Sequence, residues 1–258
     1  MLQVESRADL LPDLVRERIL LLDGAMGTMI QRLGLDEAGV RGERFADHHK
    51  DLKNFSDILC LTHPDKITDI HREYLKAGSD IVETNSFGAS PVGMVEFDLP
   101  LELVEEINQA AVACARKAAD EYTERTPDKP RFVAGSIGPT TMQLAISTKV
   151  DDPAFRPTTF EAMRSSYRAQ VDSLIKAGVD ILLPETAIDT LNLKACLFAI
   201  QNAFDAGARR VPVMVSGTFD KGGRTFVSGQ SVEAFFTAIE HFPLLSIGMN
   251  CALGPDVM

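Results

Sequence analysis

Three acidic residues, one cysteine and one glycine-containing turn hold most of the chemistry this sequence could do. Asp23, Glu83 and Glu185 each stand at the end of a short apolar run: ILLLD at 19–23, DIVE at 80–83 and DILLPE at 180–185. A carboxylate at the end of a buried strand is costly unless water or a cation meets it. Glu83 and Glu185 therefore call either for a structural Arg or Lys partner or for the ammonium group of a ligand. Directly after Asp23 come Gly24, Ala25, Met26 and Gly27. The two glycines let the backbone approach a ligand and leave amide N–H groups free for a carboxylate. A tight turn with a helix-capping Asp would read the same way. Ammonium acceptors and carboxylate-binding amides on one rim together suit an amino acid. Cys251 closes the run LLSIGMNC at 244–251. Its thiol either packs inside the protein, as free cysteines often do, or faces a pocket as a thiolate. Cys60, Cys114 and Cys196 lie in apolar stretches and read as packing residues. The five histidines form no metal motif, and His48, His49, His63, His71 and His241 read as surface or capping residues.

The elements that must position these residues alternate in kind. Six apolar, β-branched runs, near 19–27, 80–87, 132–139, 180–187, 211–219 and 244–251, read as strands. Helical patterns separate them at 64–77, 101–122, 158–177, 189–205 and 231–241. Strand and helix in alternation predict a parallel sheet with helices against it. Most runs are apolar almost to their ends, as strands covered on both faces should be. They finish in polar or small residues, among them Ser136, Thr186, Thr218 and Asn250, which places the chemistry on the C-terminal rim. No GxGxxG follows the first run, so an α/β barrel of the (β/α)8 TIM type is favoured over a doubly wound sheet, with about six βα units present. The segments 29–63 and 140–157 are expected to be loops over the active face. An internal echo links LKAGSDIVET (75–84) to IKAGVDILLPET (175–186).

Composition narrows the partners. With 258 residues, 45% of them hydrophobic, one large core is the expectation, and residues 1–258 read as one domain. A formal net charge of −11 without a basic cluster argues against nucleic acid. No apolar stretch reaches the roughly 18 residues of a membrane span. Four widely spaced cysteines without a CxxC pair argue against a disulfide framework, and the cytosol is the expected compartment.

In order along the chain, LLDGAMGTMIQ (21–31), RGERF (41–45), DIVETNSFGAS (80–90), GSIGPT (135–140), DILLPETAIDTLNLKA (180–195), PVMVSGTF (212–219) and GMNCALGP (248–255) are similar to the homocysteine-binding domain of cobalamin-dependent methionine synthase. Methyltransferases using betaine or S-methylmethionine share the shorter motifs. The resemblance implies a (β/α)8 barrel whose rim binds zinc through three thiolates, the first matching Cys251 and the others an adjacent Cys-Cys pair. No such pair occurs here, so the resemblance implies a chain that stops before its last two βα units and an incomplete zinc site. It further implies that Glu185 and Asp23 hold the homocysteine ammonium and that amides of Gly24–Gly27 hold the carboxylate. Asn250 would lie beside the metal, with Glu83 and Thr218 lining the pocket. Methylcobalamin and methyltetrahydrofolate would be met only through cobalamin- and folate-binding modules absent from this sequence. A non-catalytic binding module without zinc is the reading from a different functional class.

Overall fold

The computed structural model describes residues 6–250, 252–254 and 256–258. A 3-10 turn, Arg7–Leu10, leads into helix α1 (Leu11–Glu17), and Leu22 then makes a single parallel bridge to Ile81. Short helices follow: α2 (Met26–Arg32), α3 (Glu37–Arg41), a 3-10 turn at Ser56–Ile58, and α4 (Leu59–Thr62). From there the alternation is regular. Helix α5 (Pro64–Ala77) precedes strand β1 (Ile81–Glu83), α6 (Pro91–Glu96) and α7 (Leu103–Arg125) precede β2 (Phe132–Ile137), and α8 (Phe160–Ala177) precedes β3 (Ile181–Pro184). Helix α9 (Thr190–Asp205) leads to β4 (Met214–Gly217), and α10 (Val232–Ile239) to β5 (Ser246–Met249).

All strand pairings between these units are parallel. β2 lies between β1 and β3, with Ile81 opposite Phe132 and Ala134 opposite Ile181. β4 pairs with β5, and a bridge from Leu182 to Val213 joins the two sheets. Neighbours in space are thus neighbours in sequence, from Leu22 to β5.

β1, β2 and β3 are buried almost throughout, which explains their nearly unbroken apolar letters, whereas β4 is buried at alternate residues and β5 is largely exposed. Val82, Val133 and Leu182 pack toward the helices with Val171, Leu174 and Ile200. The alternate residues Ile81, Phe132, Ala134, Ile181 and Leu183 form a separate cluster that Leu11 of α1 joins. Phe132 is fully enclosed, and its truncation to Ala would cost about 3–5 kcal/mol. A third cluster gathers Leu52, Phe55, Ile58, Leu59, Ile67, Met94 and Ile107. It fastens the 52–62 segment and α6 to α5 and α7.

The internal echo has a physical basis. Gly78 and Gly178 end α5 and α8 with φ of 118° and 92°, a backbone conformation that glycine adopts without steric cost. Two residues later, Asp80 takes the Leu21 N–H at 2.9 Å and both guanidinium nitrogens of Arg18 at 2.9 and 3.0 Å. Asp180 takes the Val133 N–H at 2.8 Å and pairs with Arg116 at 2.8 Å. Each aspartate therefore binds the backbone of the preceding strand. Burial opposes ionisation of Asp80, yet the Arg18 pair and the Leu21 amide hold its carboxyl below the ordinary value.

Two expectations need correction. The 29–63 segment is not a loop, because α2, α3, the Ser56–Ile58 turn and α4 occupy much of it. These pieces run only three to seven residues, too short to show a helical period in sequence. His71 is not a surface or capping residue. It is a fully buried residue of α5, with neither ring nitrogen hydrogen bonded among the described residues. Burial lowers its pKa to about 4, so it is neutral in the fold. Segment 140–157 contains no helix or strand, in line with its reading as a loop.

Candidate active site

Four strand ends and the turn after the Leu22 bridge converge on one cavity of about 960 Å³. Its wall includes Asp23 after the Leu22 bridge, Glu83 at the end of β1, Ser136 of β2, Glu185 and Thr186 after β3, and Asn250 after β5. Gly24, Ala25, Met26 and Gly27 lie along the same wall, where α2 begins. Thr218 is outside the lining and stands behind Asn250, with its hydroxyl 3.1 Å from the Asn250 side-chain oxygen. Cys251 lies outside the described residues.

Asp23 is fixed by backbone contacts. Its own N–H donates to Ile81 O at 3.0 Å, and its carboxylate oxygens accept the Glu83 N–H at 3.1 and 3.2 Å. Glu185 accepts a hydrogen bond from the Ser136 hydroxyl. Among the described residues no Lys, Arg or His forms an ion pair with Asp23, Glu83 or Glu185, and no basic side chain lines the cavity. The alternative of a structural Arg or Lys partner is thus not realised. The same alternative is realised at the opposite strand ends, where Asp80 and Asp180 have their cations.

Electrostatics follow from that absence of cations. Burial raises the Asp23 pKa to about 8, with the Glu83 amide opposing and Glu185 adding to the rise. Burial and the charges of Glu185 and Asp23 raise Glu83 to about 9. Glu185 is raised as well, by burial, against the Ser136 hydroxyl. Three acids crowded in a partly dehydrated wall cannot all ionise alone. A cation placed among them would let them do so.

The rest of the cavity wall comes from residues that no sequence pattern singles out. Phe55, Ser56, Asp57, Phe87, Gly88 and Phe97 line it. Phe55 and Phe97 stack with centroids 4.9 Å apart. Asp57 accepts the Gly88 N–H at 2.7 Å, and burial lifts its pKa to about 6. Gly138 is needed at this wall. A β-carbon there would come within 2.6 Å of the Phe87 ring and 2.7 Å of its carbonyl, while the Gly138 N–H donates to that carbonyl at 3.0 Å. The only sequence signals for this part of the wall are the GSIGP glycine and Ser90-Pro91, a cap followed by a first-turn proline. Asp57 gave none, since only the fold brings it beside residue 88.

Among the described residues no group of three or more His, Cys, Asp or Glu side chains could hold a metal ion. The described residues therefore do not by themselves fit a zinc ion. No helix among them is long and apolar enough to cross a membrane.

A parallel α/β array with its polar cavity over the strand C-terminal ends is the layout in which α/β enzymes place their chemistry. The family model of homocysteine S-methyltransferase matches residues 20–258, and the chain belongs to that family of methyltransferases. The fold is similar to crystal structures of the homocysteine methyltransferase MmuM from Escherichia coli. The metallated form matches with a TM-score of 0.74 and 23% identity, over 95% of this chain and 79% of that one. The oxidized form gives 0.70 and 24%, over 92% and 75%, and the apo form 0.68 and 22%, over 95% and 76%.

Proposed function

We propose that the cavity binds homocysteine as the methyl acceptor, with its ammonium group among Glu185, Asp23 and Glu83. The observation that carries this reading is the cluster of three raised acids with no basic side chain in the cavity wall. The first helical turn after Gly24 leaves its N–H groups without intrahelical partners, which suits the carboxylate end of the same molecule. Ser136 fixes the Glu185 carboxyl by hydrogen bonding, and the Glu83 amide fixes Asp23, so the ammonium meets oriented acceptors. In the reaction, the homocysteine sulfur forms a bond to the methyl carbon as the bond from methyl to its donor breaks. The product is methionine, and the thiol proton is lost.

The particular enzyme we infer is a cobalamin-dependent methionine synthase, 5-methyltetrahydrofolate-homocysteine S-methyltransferase, of the cytosol. The motif set supports it, above all RGERF (41–45) and the SGTF…GRT…SGQ sequence at 216–230, which look more like methionine synthase than like the betaine- or S-methylmethionine-dependent enzymes. In this reading the parallel array is part of an eight-stranded (β/α)8 barrel, and methylcobalamin and methyltetrahydrofolate are handled by other modules. Zinc would rest on Cys251 and two further thiolates that these 258 residues do not supply. Weak zinc binding by this chain alone is therefore expected, and metal analysis checks it.

Calorimetric titration with L-homocysteine tests the site. The wild type should bind, and Glu185→Gln should weaken binding by about tenfold or more, since a charge-assisted hydrogen bond is lost. Equal affinities would remove the ammonium site from the reading. A second donor reading has its own support. Phe55, Phe87, Phe97, Asp57 and Glu96 also line the cavity, and aromatic and acidic walls suit a sulfonium or quaternary ammonium donor. Methyl transfer to homocysteine from methylcobalamin, betaine and S-methylmethionine, compared on the enzyme that carries this chain, separates the two.

A further inference from the structure

Thr186 stands between the acid cluster and Asn250 in a conformation its side chain disfavours. Its φ is 58°, and the only other described non-glycine residue with positive φ is Asp98. A β-branched residue in the left-handed region is a steric outlier that persists only where its surroundings hold it. The Asn250 side-chain amide donates to the Thr186 hydroxyl at 2.7 Å, and the Thr186 N–H donates to the Ser216 hydroxyl at 3.4 Å. On either side, Glu185 N–H bonds to Ile137 O at 3.0 Å and Ala187 N–H to Ser216 O at 3.0 Å. Asn250 is met from behind by the Thr218 hydroxyl, and its N–H bonds to Gly217 O at 3.1 Å.

The turn at Thr186 therefore does two things together. It ends the strand so that Glu185 faces the cavity, and it directs a hydroxyl across the rim to Asn250. We propose that Thr186 is a positioning residue for substrate binding: its strained backbone and hydroxyl fix Glu185 and Asn250 relative to each other. The proposal rests on the homocysteine reading of the cavity, and the test separates the two.

Three variants and two measurements suffice. Thr186→Val keeps the branched shape and removes the hydroxyl. Thr186→Ser keeps the hydroxyl. Thr186→Gly removes both the hydroxyl and the steric conflict, since glycine enters the left-handed region freely. L-homocysteine affinity is read by calorimetry and melting temperature by scanning calorimetry. Thr186→Val and Thr186→Gly should each bind about tenfold more weakly, and Thr186→Ser should restore binding to within about threefold of wild type. Thr186→Gly should keep or raise the melting temperature while losing affinity. That opposition of signs would not arise from a merely structural role. Wild-type affinity in Thr186→Val, or stability and affinity falling together in Thr186→Gly, overturns the proposal while leaving the homocysteine site intact. No homocysteine binding by the wild type overturns both.

Discussion

Replacing Glu83 with glutamine should stabilise the protein near neutral pH and leave it unchanged near pH 4. In the fold, burial and two neighbouring acids raise Glu83 to about 9, whereas an unfolded glutamate titrates near 4.3. Between those values the folded state holds a proton that the unfolded chain has released. Stability must therefore fall as pH rises through that window. At pH 7 the isolated cost is about 3.7 kcal/mol, from about 1.36 kcal/mol for each of roughly 2.7 pH units. Glu83 is partly open to the cavity and shares its protons with Asp23 and Glu185, so about 2 kcal/mol is the working figure. For a chain of this size that is a rise of about 4–8 °C in melting temperature. Thermal unfolding of wild type and Glu83→Gln at intervals from about pH 4 to pH 9 is the assay. The two curves should coincide at the acid end and separate steadily above it. Parallel curves across the whole range would refute the reasoning. Saturating homocysteine should narrow the gap by stabilising the wild type more than the variant.

Homocysteine binding at pH 7 should release protons, because an ammonium among raised acids lowers their pKa values. Titration in two buffers of different ionisation enthalpy measures the number, and zero release contradicts the acid cluster. His71→Leu should flatten the acid limb of stability. The neutral buried imidazole at about 4 makes the wild type lose at most about 3 kcal/mol as pH falls from about 6.5, which urea unfolding at several pH values resolves. Asp80→Asn should cost about 3 kcal/mol, since it leaves Arg18 without its buried partner, and a urea midpoint equal to wild type would count against that. Gly138→Ala should weaken homocysteine binding by displacing Phe87, with little change if the Phe87 loop simply shifts aside.

Sequence periodicity placed the long helices well because each has an apolar face and a marked end. Pro64 and Gly78 bound α5, and Thr159 and Gly178 bound α8. The strands were visible as apolar runs, and their polar tips pointed to Asp23, Glu83, Glu185 and Asn250, which share one cavity wall. What stayed hidden was of two kinds. Short helices such as α3 and α4 contain too few turns for a period to emerge. Contributions made only through tertiary contact, such as Asp57 at the Gly88 amide and Phe87 over Gly138, leave no local mark. Thr186 was visible as a strand-end residue, yet no pattern of letters signals a left-handed threonine.

The aspartates at the strand beginnings have a consequence for how this protein can change. Asp80 and Asp180 each reach sideways to an amide of the preceding strand, at Leu21 and Val133. Alignment between neighbouring units is thus settled at the end of the molecule away from the cavity. The rim adds ties of its own, from the Glu83 amide to Asp23 and from Asn250 to Thr186. A lineage could exchange rim residues that make no such ties while the two aspartates keep the units beneath in alignment. Specificity and architecture are written at opposite ends of the same strands, so each can drift under its own selection.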